Sequence, residues 1–100
     1  MELAEAREEI RRIDEEMAAL FVRRMEAARS IAAYKAAHGL PVEDLAQEAR
    51  VLAGRSALIK DDALRPYYLQ FLQHTMDVSK DWQRRLIARA QGDDGEVGKA

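Results

Sequence analysis

The chain has 100 residues, of which 48% are hydrophobic and 34% charged, with a net charge of −2 and no cysteine. That length suits a single domain with a modest core. The charge balance speaks against nucleic acid or an anionic membrane as a partner, and the missing cysteine removes disulfides, thiol catalysis and cysteine metal sites. Ala, Leu, Glu and Arg abound beside two prolines, five glycines and six aromatic residues, which predicts an all-α fold. Any cationic site has to be local.

The opening stretch MELAEAREEI is acidic and has no apolar h-region, so it does not read as a signal peptide. No apolar run approaches the ~20 residues that span a bilayer. A soluble, cytoplasmic protein is expected. The first helical pattern starts near Glu2 and ends at His38-Gly39, where glycine supplies a left-handed residue and Pro41 blocks resumption. Read by sevens, it carries two rows: Leu3, Ile10, Met17, Arg24, Ile31 and Ala6, Ile13, Leu20, Ala27, Tyr34. These are the rows of a helix seam. At ~1.5 Å per residue the helix would be ~54 Å long. A compact chain of this size has a radius of gyration of only ~13 Å. The helix therefore overhangs any core its own chain builds, and a second copy alongside, forming a homodimer, is the economical solution.

A short connector, GLPVE at 39–43, leads to a second predicted helix that Asp44 opens and Gly54 closes. Asp44 with Gln47 fits a capping box, Gln47 reaching back to the cap. Leu45, Ala49 and Leu52, with Val51 beside them, form the expected buried stripe. Arg55–Lys60 is the predicted loop. A third helix is expected to begin between Asp61 and Pro66 and to run to about Ala90, with a stripe of Leu64, Tyr68, Phe71, Leu72, Thr75, Ser79, Trp82 and Leu86. The apolar signal breaks at Thr75, Ser79 and Gln83. Residues 1–90 are thus read as one helical domain and 91–100 as a disordered tail.

Arg24 stands in a hydrophobe's place in the first row. Lys35, three turns on, projects from nearly the same face across Ala28 and Ala32. Two cations over alanines either snorkel or pair with carboxylates, or they await an anion. Asp44 and Glu48 stack on one face of the second helix. Asp44 is explained by capping alone and Glu48 as a solvated residue, unless a ligand brings hydroxyl donors. Ser79 and Gln83 either set register in a seam or offer neutral hydrogen bonds to a ligand oxygen. Arg7 lies ~100° around the axis from Arg24, so it joins that site only from a second, antiparallel chain. His38 and His74 read as structural or exposed. No Glu-x-x-His pair, no histidine at useful spacing from Ser79 and no Gly-rich phosphate loop occurs.

Arg7, the IRRID run at 10–14, Arg24, Lys35, LPVEDLAQE at 40–48, and Ser79 with Gln83 together resemble the all-helical (type II) chorismate mutases over residues 3–87. The resemblance implies three helices per chain in an intertwined homodimeric bundle, each active site drawing on both protomers. It implies an isomerase of aromatic amino acid biosynthesis that rearranges chorismate to prephenate without a cofactor or metal. Arg24, with Ser79 assisting, would bind one substrate carboxylate, and Arg7 of the other chain the second. Lys35 and Gln83 would hydrogen-bond the ether oxygen, and Glu48 with the Asp44 region would hold the ring hydroxyl. The family commonly has arginine before the glutamate matched by Glu48. This chain has Gln47 there, one positive charge fewer at the rim. The alternatives are an isochorismate pyruvate lyase of the same fold and a non-catalytic helical dimerisation module.

Overall fold

The computed structural model describes residues 1–92, and these form three helices and no strand: α1 (Leu3–His38), α2 (Leu45–Ser56) and α3 (Arg65–Ala90). The start of α1 is held by Glu5, whose side chain accepts the Glu2 backbone N–H at 3.4 Å. Arg11 then pairs with Glu8 and Glu15 one turn either way, the spacing that supports an exposed helix. The helix ends as its sequence predicts. Gly39 takes φ 64°, and Leu40 N–H returns to the Lys35 carbonyl at 2.9 Å.

The second helix departs from expectation at both ends. Asp44 caps it, accepting the Gln47 N–H at 3.0 Å. The Gln47 side chain does not reach back to that cap; its carbonyl oxygen accepts from Arg50 Nε at 3.1 Å. Gly54 does not close the helix, which continues to Ser56. A helical glycine costs ~1 kcal/mol relative to alanine, too little to stop a helix whose final turn is otherwise bonded. Ser56 Oγ donates to Ala53 O at 2.9 Å there. The predicted stripe is not buried either: Leu45 is exposed, and no α2 residue is fully covered.

Asp61 caps the turn before α3 rather than α3 itself, accepting the Ala63 N–H at 2.8 Å. Pro66 occupies the first turn, where its missing N–H costs nothing. Arg65 then ties the α2–α3 loop together, donating to Ile59 O at 3.0 and 2.8 Å. On α3 the buried residues are Leu72, Met76, Ser79 and Gln83. Met76 belongs to this face although the predicted stripe passes over it, and Phe71 is exposed.

α3 is the hub: it packs on both α1 and α2, while α1 and α2 do not pack on each other. The α1–α3 contact is close because α1 offers Ala28 and Ala32, 3% and 2% exposed. Trp82 Nε1 donates to the Met25 carbonyl at 3.3 Å, and Arg29 lies 5.2 Å over the Trp82 ring. The molecule measures 52 × 33 × 20 Å, with a radius of gyration of 17.3 Å. That exceeds the ~13 Å of a compact chain this long because the N-terminal half of α1 stands clear of the other helices. Leu3, Ile10, Met17, Leu20 and Phe21 are between 42% and 65% exposed along it. No helix among the described residues is long and apolar enough to cross a membrane. The tail expected to be disordered lies outside the described residues from position 93 onward.

Candidate active site

Between α1 and α2, floored by α3, lies a cavity of about 540 Å³. Six of the seven residues singled out from sequence line it: Arg24, Lys35, Asp44, Glu48, Ser79 and Gln83. Arg7 does not. It lies 17 residues from Arg24, ~25 Å along the axis of α1, and no bend of a straight helix brings it closer.

Helix geometry delivers each wall. α1 contributes Arg24, Ala28, Ile31 and Lys35, which follow one another at steps of four, three and four residues on one face. The alanines leave the volume; the cations edge it. Lys35 is aimed by the connector, its Nζ donating to the Val42 carbonyl at 2.7 Å. Arg24 is half-buried and makes no hydrogen bond or ion pair with any described residue. Burial first, and the neighbouring charge of Arg55 second, pull its guanidinium below the ordinary arginine value. An arginine stays charged regardless. It thus lines the cavity with no carboxylate partner among the described residues, only Tyr68 acting to raise it.

From α3 come Ser79 and Gln83, both buried. Gln83 Nε2 donates to Ser79 Oγ at 3.1 Å, which leaves Gln83 Oε1 buried and without a hydrogen-bond partner. An orphaned buried polar atom costs ~1–3 kcal/mol. With the amide turned over, Ser79 donates to the carbonyl and the NH2 is the group left over. As it stands the amide has the carbonyl oxygen and one N–H left for another partner, and turned over it has both N–H groups.

Two charged residues of the wall, Arg55 and Lys80, have no counterpart among the candidates read from sequence. Arg55 enters because α2 runs through Gly54, so the face of Asp44, Glu48 and Val51 continues for another turn. Extending that stripe past the glycine is the signal that would have found it. Lys80 follows Ser79 on α3, and its Nζ lies 3.2 Å from both carboxylate oxygens of Glu48 and 3.3 Å from Glu43. The Glu48 contact raises the Lys80 ammonium above its ordinary value, Glu43 adding to it, with burial acting against them. The pair joins residues 32 apart in sequence, so no local spacing announces it. The cavity wall carries four cations (Arg24, Lys35, Arg55, Lys80) against two carboxylates (Asp44, Glu48), an excess of two positive charges.

The fold and cavity define a class: a small all-helical protein with a cation-rich cavity between its helices. The family model for chorismate mutase type II matches residues 6–84, a span that reaches from just before Arg7 to just beyond Gln83, and the chain belongs to that family. No solved structure matches it.

Proposed function

We propose that the protein is a chorismate mutase, an isomerase that rearranges chorismate to prephenate in the synthesis of phenylalanine and tyrosine. The observation that carries this reading is the unpaired Arg24, which shares one cavity with Lys35 and with the orphaned Gln83 amide. Chorismate is a dianion, and Arg24 with Arg7 of a second copy would offer one guanidinium to each carboxylate.

The reaction is unimolecular: the ether C–O bond breaks as a new C–C bond forms within the same molecule. It asks nothing of the protein but conformation and charge. Arg24, with the Ser79 hydroxyl beside it, holds one carboxylate and so folds the substrate into its reactive chair. Lys35 donates to the ether oxygen as negative charge grows there, and Gln83 donates with the N–H that its bond to Ser79 Oγ leaves over, the Ser79 O–H staying free for the carboxylate. Glu48 accepts from the ring hydroxyl, with the Asp44 region beside it. The carbonyl of Val42 fixes Lys35 in advance, so no reorganisation is required as the bond stretches.

The second carboxylate is assigned to Arg7 of another copy. Support comes from the exposed apolar row along the free half of α1, and from an apolar groove between α1 and α3 lined by Met17, Leu20, Phe21, Tyr68, Phe71 and Leu72. An intertwined homodimer covers both and carries Arg7 to its partner's cavity. The discriminating experiment offers purified protein chorismate and isochorismate separately. Prephenate from chorismate, with no pyruvate from isochorismate, is the expected result. Pyruvate release from isochorismate alone would reassign the protein as a lyase.

A further inference from the structure

Glu48 poses a problem for a site of this kind. A carboxylate on the wall of a cavity that also holds Arg24, Lys35 and Arg55 is a competitor for those cations. Left to itself it would swing toward them and occupy the charges meant for the substrate. It does not, because both of its oxygens lie 3.2 Å from Lys80 Nζ, and the two side chains are each only 14% exposed. Lys80 is itself anchored: Glu43 from the connector sits 3.3 Å away, and Asp77 one turn earlier on α3 sits 3.6 Å away. Gln73 Nε2 also approaches Glu48 Oε1, at 3.5 Å. The ammonium is held from α3 and the connector, and it holds Glu48 against α3.

We propose that Lys80 is a positioning residue, which clamps the Glu48 carboxylate on the α3 side of the cavity and so keeps Arg24, Lys35 and Arg55 open to an anionic substrate. The inference rests on the mutase reading above and adds to it a residue that touches no substrate. Two functions follow from one ion pair. Glu48 is presented at a fixed place for a hydroxyl, and the cations are spared an internal partner.

The test is a pair of variants assayed for chorismate turnover. In Lys80→Met the released Glu48 competes with the substrate. If only about a tenth of the molecules keep their cations free, KM rises about tenfold while kcat changes little. Glu48→Gln removes the competing charge, so against the Glu48→Gln single variant, whatever its own KM, adding Lys80→Met should raise KM far less than it does in wild type. Lys80→Arg, which preserves the pair, should stay near wild type. A purely structural role predicts the same KM increase from Lys80→Met in both backgrounds, and that result overturns the clamp while leaving the mutase reading intact. A wild-type protein that does not consume chorismate overturns both. Thermal melts of each variant separate misfolding from lost binding. A Lys80→Met that melts with wild type yet keeps the wild-type KM also refutes the proposal.

Discussion

At the scale of single residues, Arg24 and Lys35 make opposite demands on the protein, and substitution separates them. Arg24 is half-buried with no hydrogen bond or ion pair among the described residues, so its burial costs stability. Arg24→Met should therefore raise the melting temperature by a few degrees, since ~1 kcal/mol moves a domain of this size by roughly 4–8 °C. The same variant should lose chorismate turnover. A melt that falls instead would show that Arg24 has a partner holding the fold. Lys35 is differently placed, with its ammonium on the Val42 carbonyl. Loss of a preorganised donor to a developing oxyanion costs ~2.7–4 kcal/mol in transition-state stabilisation, so Lys35→Ala should slow turnover at least ~100-fold. Near-normal kcat in that variant would remove Lys35 from the mechanism. Both residues were legible in the sequence because they belong to one helix, whose period fixes which side chains share a face. Lys80 and Arg55 were not. Lys80 acquires its place from a carboxylate on another helix, and Arg55 from a helix that ignores its glycine.

At the scale of elements, the glycines of the second half of the site differ in sign. Gly39 has φ 64° with open space around the position of a Cβ, so a side chain there meets no neighbour but strains the backbone. Gly39→Ala should cost about 1–2 kcal/mol, read as a shift in the denaturant midpoint. It should also depress activity, since the connector it begins carries the Val42 carbonyl that aims Lys35. Gly54 sits inside α2, again with nothing within 4 Å. Gly54→Ala should stabilise the protein by about 0.5–1 kcal/mol and leave turnover unchanged. The boundaries of α1 were readable because Gly39 and Pro41 agree. The end of α2 was misjudged because a lone glycine is a weak stop. The stripes of α2 and α3 depart from the sequence pattern where burial depends on which helix lies opposite: Met76 shares the cavity wall with Ala27 and Ala28 of α1, and Leu45 is 68% exposed.

At the scale of the whole molecule, the length of α1 was the most informative feature of the sequence, since a 36-residue helix cannot be covered by a 12- and a 26-residue helix of the same chain. The large residues of its two rows, Leu3, Ile10, Ile13, Met17 and Leu20, are exposed along the free half, as an unsatisfied seam should be. Light scattering at micromolar concentration should give twice the 11.3 kDa chain mass, and a monomer would contradict the shared-site account. Complementation tests the sharing itself. Arg7→Ala and Arg24→Ala proteins should each be inactive. Refolded together in equal amounts, half the dimers are mixed and each carries one intact site of two, so activity should return to about a quarter of wild type. No recovery would mean that Arg7 serves its own chain or none.

All of these expectations depend on one claim, that the cations of this cavity exist to hold and rearrange chorismate. Its most direct test is the optical disappearance of chorismate with wild-type protein and Arg24→Ala side by side, with prephenate identified as the product. The account predicts turnover by wild type and its loss in Arg24→Ala; no turnover by wild type, or equal turnover by the two, would contradict it.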